Sequence, residues 1–462
     1  MSSTYGAPWV TGSGSSYPVT AARAPLTRSN ARPLDLWSWA PWARHLAIFA
    51  TSFAVVLLRR PETLTRAEFW NEDGQVFYVG SFFGSAFEQL MRSYAGYLHA
   101  VPRLVAWLER LVDVSMAPLV GNAIALLVVA GIATWIASDR LANVLPSRAA
   151  RLTLAVLLIL LPGSWETLGS ITLVQFYLGT FLVVASLADG APRARWAQVV
   201  EIGAIALAAL TGPISILLAT LYLGRAWINR DRWAMTTAAV VVGCALLQLD
   251  AIALGTRSPE IPMLAGAAAL LLARAWSTVI GDFWLGGAIQ AQPGIVIVLV
   301  ATAVLAGLAI LASTRLIMRI RLTIAYVAAA SVAAALTGDV ATFPESSFLG
   351  SRYFVIPTFL VALGLVAWAG SRPSAAPRLA RSRDLAGLAG VALGGLFVLG
   401  IVGDFSLPRH ATHDWALRSQ CIGGLAPCDV PVEYPNAWTI HWPGSGGPYV
   451  QPQPHHAEAA QP

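Results

Sequence analysis

The chain of 462 residues contains no lysine. All 30 of its basic side chains are arginine, and charged residues of either sign make up only 12% of it. Soluble domains carry about 25% charged residues, so a chain this poor in charge lacks the polar surface to cover a soluble core. Use of arginine alone is a habit of GC-rich genomes and carries no functional message. The arginines fall in short connections between apolar stretches rather than in one patch, which argues against a nucleic-acid partner.

Cysteine is scarce too, with three in all. Cys244 sits inside an apolar stretch and reads as a buried, inert thiol. Cys421 and Cys428 flank IGGLAP, a spacing that suits a small disulfide loop and matches no zinc motif. A bond between them would place that end of the chain in an oxidising compartment. The sequence has no GxSxG, no P-loop, no HExxH and no CxxC pair. Nothing in it points to haem, flavin, nucleotide or a dedicated metal site.

Apolar residues, by contrast, are abundant: 56% of the chain is hydrophobic. That composition predicts an all-α polytopic membrane protein. A crossing helix needs roughly 17–25 mainly apolar residues, and about 11 stretches qualify: 43–58, 117–138, 151–166, 171–188, 198–212, 213–227, 233–254, 293–314, 321–338, 353–370 and 385–403. LTGP at 210–213 reads either as a hairpin or as a kink in one long helix. Residues 1–42 read as a disordered cytoplasmic tail, 404–445 as a small extracytoplasmic cap, and 446–462 as a second disordered tail.

Arginine sets the expected orientation. With the N-terminus inside, 19 of the 30 arginines fall in inner segments, and every inner connection is basic. An odd number of helices then leaves the C-terminus outside, where Cys421 and Cys428 could oxidise. The long first outer loop, 59–116, includes YAGYLHAVPRLVAWLERLV, whose apolar residues recur at helical spacing. It reads as an amphipathic helix on the outer face. The stretch 261–284 reads the same way, or as one further span.

The outer loop also holds an acidic pair, Glu72 and Asp73, in RAEFWNEDGQVF. One reading is a solvated loop with a turn at Asp73-Gly74. The other is an outward-facing active site, with one carboxylate as base and the other orienting it or binding a cation. His99 and Arg103 lie four residues apart on one helix face, near Tyr97, and could grip a phosphate. Arg352 and Tyr353 open an apolar span from the side that the arginine bias disfavours, which makes Arg352 the leading phosphate ligand. Glu345 could instead simply pair with it. Glu166 follows LLPGSW, where a break at Pro162 could aim it into a cavity. Gln175 and Asp282 are further polar residues at outer helix ends.

This pattern resembles the GT-C superfamily of integral membrane glycosyltransferases. A cytoplasmic N-terminus leads through one span to a long outer loop with an acidic motif, NEDG, followed by many apolar helices. EDGQVFYVGSFFG, YAGYLHAVPR and SRYFVIP resemble a bacterial branch of that class. The resemblance implies a polyprenyl-phosphate sugar as donor and a glycan or lipid hydroxyl as acceptor. It also implies inverting transfer at the outer face of the cytoplasmic membrane. Asp73 and Glu72 take the catalytic position. Arg352, Tyr353, Arg103, His99, Tyr97, Glu166 and Gln175 line the substrate site. Members of this class often need no metal, although the carboxylates could hold a divalent cation. The WWDYG-type signature of oligosaccharyltransferases is lacking, as is a large soluble C-terminal domain. The competing readings are a transporter or flippase of lipid-linked sugars, and a non-enzymatic assembly factor.

Overall fold

The computed structural model describes residues 40–164, 166–254, 318–337, 352, 355–370, 380–405, 414–432 and 438–451. The expected N-terminal tail up to residue 39, the stretch 261–284 with Asp282, the span 293–314, Glu345 and Tyr353 lie outside these residues. The described chain is mostly helical.

Among the described residues, three helices are long and apolar enough to cross a membrane. They are α1 (Pro41–Arg59), the stretch Val114–Ala137 containing α3 (Ala117–Ala137), and α8 (Arg232–Leu254), which qualifies over Arg232–Ala253. Between α1 and α3 lies α2 (Ala100–Glu109). Then follow α4 (Arg148–Ile159), α5 (Val174–Leu187), α6 (Arg195–Ala209) and α7 (Ile214–Asn229). After α8 come α9 (Met318–Thr337), α10 (Val355–Gly370) and α11 (Ala380–Phe405).

The expected spans 151–166 and 171–188 are corrected to helices of only 12 and 14 residues, α4 and α5. Pro162 cannot donate a backbone bond, and Gly163 takes a left-handed φ of 71°, so the helix stops at Ile159. At LTGP the chain turns between two separate helices, α6 and α7, with Gly212 at a φ of 92°.

α5 is buried along nearly its whole length and forms the centre of the main core with α3, α4 and α10. The outward faces of α6, α7 and α8 are apolar: Trp196, Val199, Trp227, Ile228 and Leu246 are all exposed. Apolar surface on this scale belongs against lipid or another protein rather than water. At one end of the bundle, Arg140 binds Glu201 at 2.7 Å and Arg319 binds Asp189 at 2.5 Å, tying α6 and α9 to the neighbouring turns.

At the opposite end sits the cap. A disulfide joins Cys421 to Cys428. β1 (Cys428–Val432) pairs antiparallel with β2 (Trp438–Trp442). The cap packs Trp415, Ile422, Val430, Val432, Ile440 and Trp442 onto Phe69, Tyr78 and Val79. Residues 446–451, expected to be disordered, are tied down. Tyr449 stacks on Phe83 at 5.1 Å, and Gln451 Nε2 donates to Ser93 O at 3.0 Å. The sequence reads as low complexity here because the aromatic that holds the tail is flanked by glycine and proline.

Candidate functional site

The candidate site is built around LLPGSWETLGSITL, residues 160–173, between α4 and α5. Apart from Trp165, which lies outside the described residues, this segment is irregular yet mostly buried. Irregular backbone at depth is tolerated only if its polar groups find partners, and here they do. Ser164 Oγ donates to Leu161 O at 2.7 Å, and Thr167 Oγ1 to Ser164 O at 3.0 Å. Arg59 Nη1 donates to Ile159 O at 2.8 Å and Arg60 Nη1 to Leu168 O at 3.1 Å. Arg59 is itself neutralised by Asp404 on α11, at 3.0 Å.

Asp73 is the clamp on the far end of the segment. Its carboxylate accepts the backbone N–H of Ile171 at 3.1 Å and of Thr172 at 2.8 Å, together with the Thr172 hydroxyl. Of the two readings of this loop, the solvated turn at Asp73-Gly74 is therefore the one the structure overturns. Asp73 begins a buried π-helix, Asp73–Tyr78, and only 2% of the residue is exposed. Turns of this kind recur at functional sites. Burial pushes the Asp73 carboxyl up to about 7, although the Thr172 bonds pull the other way and Glu72 adds to the rise.

Glu72 differs from its neighbour. It is half-buried and sits in the helical turn before the π-helix. Burial raises its pKa, Arg352 opposes the rise, and Glu166 reinforces it. Those influences place Glu72 in the same electrostatic group as the Glu166–Arg352 pair. Glu166, fully buried, accepts from the Arg352 guanidinium and from the Arg352 backbone N–H at 3.1 Å. Tyr94 belongs to the same group: both Glu72 and Arg352 act on its phenol.

Thus Glu166 and Arg352 are paired and Glu72 lies within their electrostatic reach, but the other expected ligands are engaged elsewhere. Arg103 is buried under the π-helix, donating to Val76 O (3.2 Å), Gln89 Oε1 (3.1 Å), Arg92 O (3.3 Å) and Gln451 Oε1 (3.1 Å). It also lies over the Phe77 ring at 5.0 Å. Both of its Nη groups are spent on neutral acceptors, while Nε is buried without a partner among the described residues, so Arg103 is placed as a scaffold under the π-helix. Burial, helped by Arg103, pushes His99 down to about 3, so its ring is neutral. Nδ1 lies 3.2 Å from Tyr97 O, and the ring stacks on Tyr97 at 4.4 Å. Gln175, in the first turn of α5, faces the left-handed Gly212, where a Cβ would run into its carboxamide.

Among the described residues no group of three or more His, Cys, Asp or Glu is placed to hold a metal ion. The donor set does not favour a cation either. Both Asp73 oxygens accept hydrogen bonds, and Glu166 is occupied by a guanidinium.

Sequence reasoning missed Thr172, Arg59 with Asp404, and Glu109. The paired S/T residues around Gly169, just past a helix break, are the signal that could have found Thr172. Glu109 stands in an apolar helix yet is 1% exposed, and its Oε1 has no hydrogen-bond partner. No protein-family model, curated protein or solved structure matches this chain.

Proposed function

We propose that the protein is a GT-C-type membrane glycosyltransferase. It transfers a sugar from a polyprenyl-phosphate carrier to a hydroxyl acceptor at the outer face of the cytoplasmic membrane, with the N-terminus inside and the cap outside. The observation that carries this reading is the grouping of a half-buried carboxylate, Glu72, with the Glu166–Arg352 pair at the edge of a buried, irregular segment. Burial raises the pKa of Glu72 and so makes it a stronger base than a solvated carboxylate.

In this reading the acceptor hydroxyl loses its proton to Glu72 as its oxygen attacks the anomeric carbon. The bond from that carbon to the phosphate oxygen breaks, with inversion, and polyprenyl phosphate leaves. Arg352 meets the negative charge growing on the phosphate, while Glu166 fixes the guanidinium in place. Asp73 acts through geometry, holding the segment that carries Glu166 against the π-helix. No step requires a metal.

The test is transfer from a panel of polyprenyl-phosphate hexoses and pentoses in liposomes. Glu72→Gln should lower the rate by about 10²–10⁴-fold with the fold intact. Near-normal transfer by well-folded Glu72→Gln would reject the assignment. The second reading, a flippase of lipid-linked sugars, draws on the helix break at 160–173, since transporters use such breaks to bind substrate. Under that reading the liposomes would move labelled lipid-linked sugar across the bilayer without transferring it.

A further inference from the structure

α2 is turned inside out. Its only two ionisable residues, Arg103 and Glu109, face the protein and are 3% and 1% exposed. On the other side Leu104 is 43% exposed, Trp107 36%, Leu108 48% and Leu111, just past the helix, 80%. A surface helix in water shows the opposite arrangement.

We propose that this face is seated in the acyl region of one bilayer leaflet, so that α2 lies in the membrane interface as the roof over the π-helix. Three observations commit it to lipid rather than to a protein partner. First, the apolar strip is continuous with a candidate span. Val112 and Met116 are exposed as well, and the chain then runs into α3, where Leu127 remains exposed. Second, a polar cap inside the strip marks the level where water begins. Asp113 is exposed and accepts from Ser115 N at 2.9 Å, capping the turn that opens the span. A helix beside that cap lies at headgroup depth, where a tryptophan such as Trp107 is favoured. Third, the neighbouring charge is withdrawn from the strip. Arg110 reaches back to Ser81 O at 2.6 Å and lies over the Phe82 ring at 4.6 Å.

The inward face explains why such a helix would be kept. Arg103 is bonded to Val76 and Gln89, so α2 grips the π-helix that starts at Asp73. The depth of α2 in the leaflet therefore sets the depth of the acidic pair, whatever chemistry that pair performs.

The experiment places nitroxide labels on the full-length protein in phospholipid nanodiscs. Leu104→Cys, Leu108→Cys and Leu111→Cys are made in a Cys244→Ala background, with Leu246→Cys on α8 as the lipid reference. Each variant is checked by gel filtration. Accessibility is then measured to oxygen, which partitions into lipid, and to a water-soluble nickel chelate. The expected result is a ratio of oxygen to nickel accessibility above one at all three positions, on the same side as Leu246→Cys. Ratios below one would mean that water covers the face. Protection from both reagents would mean that protein covers it, a second copy included. Either result overturns the proposal, and neither bears on whether Glu72→Gln loses activity.

Discussion

Among single residues, the acidic pair divides its labour. Asp73 is locked by two N–H groups and a hydroxyl, whereas Glu72 is half-buried and within electrostatic reach of Arg352. Asp73→Asn keeps one acceptor oxygen, and its amide faces a donor, so it should cost roughly 1–3 kcal/mol of stability. It should also alter the dependence on pH. Because the folded state holds the Asp73 proton up to about pH 7 and the unfolded state only to about pH 4, stability from this group is full at low pH. It falls as pH rises through that window. Glu72 and Glu109 are raised as well and act in the same sense. Melting the protein at pH 5 and pH 8 should show a smaller drop for Asp73→Asn than for the parent. An unchanged drop would mean that Asp73 does not titrate in this range. The pair itself was legible because acids are rare in so apolar a chain. Which of the two is locked was not, since that depends on Thr172, about a hundred residues away.

The elements at the site are held by close approach. Gly74 sits against the hairpin, where a Cβ would collide with Ile440 Cδ1 and lie 3.0 Å from Ile440 Cγ1 and 3.2 Å from Phe69 Cβ. Gly74→Ala should push the cap off the π-helix and cost roughly 1–3 kcal/mol. Proteolysis at residues 414–451 would report the loosening, and unchanged resistance would show that Ile440 simply moves aside. Gln75 is the other fastening: it accepts from His441 N at 2.6 Å, standing in for a third strand along β2. Reducing the bond between Cys421 and Cys428, which closes a short loop, should cost about 2.5 kcal/mol by the loop-entropy argument. The loss should appear as earlier proteolysis of the cap, with the helical bundle unaffected. The helix-breaking role of Pro162 could be read from sequence, as could the Cys pair. The π-helix could not. Asp73-Gly74 is a strong turn signal, and only packing against Phe69, Ile440 and Trp442 makes a buried helix of it.

For the whole molecule, composition fixed the class more firmly than the count of helices. Apolar stretches such as 151–166 look like spans because burial inside a bundle and exposure to lipid both select apolar residues. Only the structure separates α5, which is walled in by protein, from α8, whose outer face is bare. Orientation is a separate question, and two features speak to it. The Arg140–Glu201 and Arg319–Asp189 pairs gather at the end that the arginine bias assigns to the cytoplasm. The disulfide lies in the cap at the opposite end, which is the chemistry an oxidising side permits. Both features agree with the proposed orientation, in which the cap lies outside. A membrane-impermeant maleimide applied to intact cells should therefore label Leu425→Cys, or the reduced cap cysteines after a mild impermeant reductant. A cysteine at Ala149, in the first turn of α4, should stay unlabelled until the membrane is permeabilised. Leu425 is 88% exposed at the tip of the disulfide loop, so poor access to the side chain would not explain a negative result. The reverse pattern would invert the protein and put Glu72 and Arg352 on the cytoplasmic side, where a donor on the outer leaflet could not reach them.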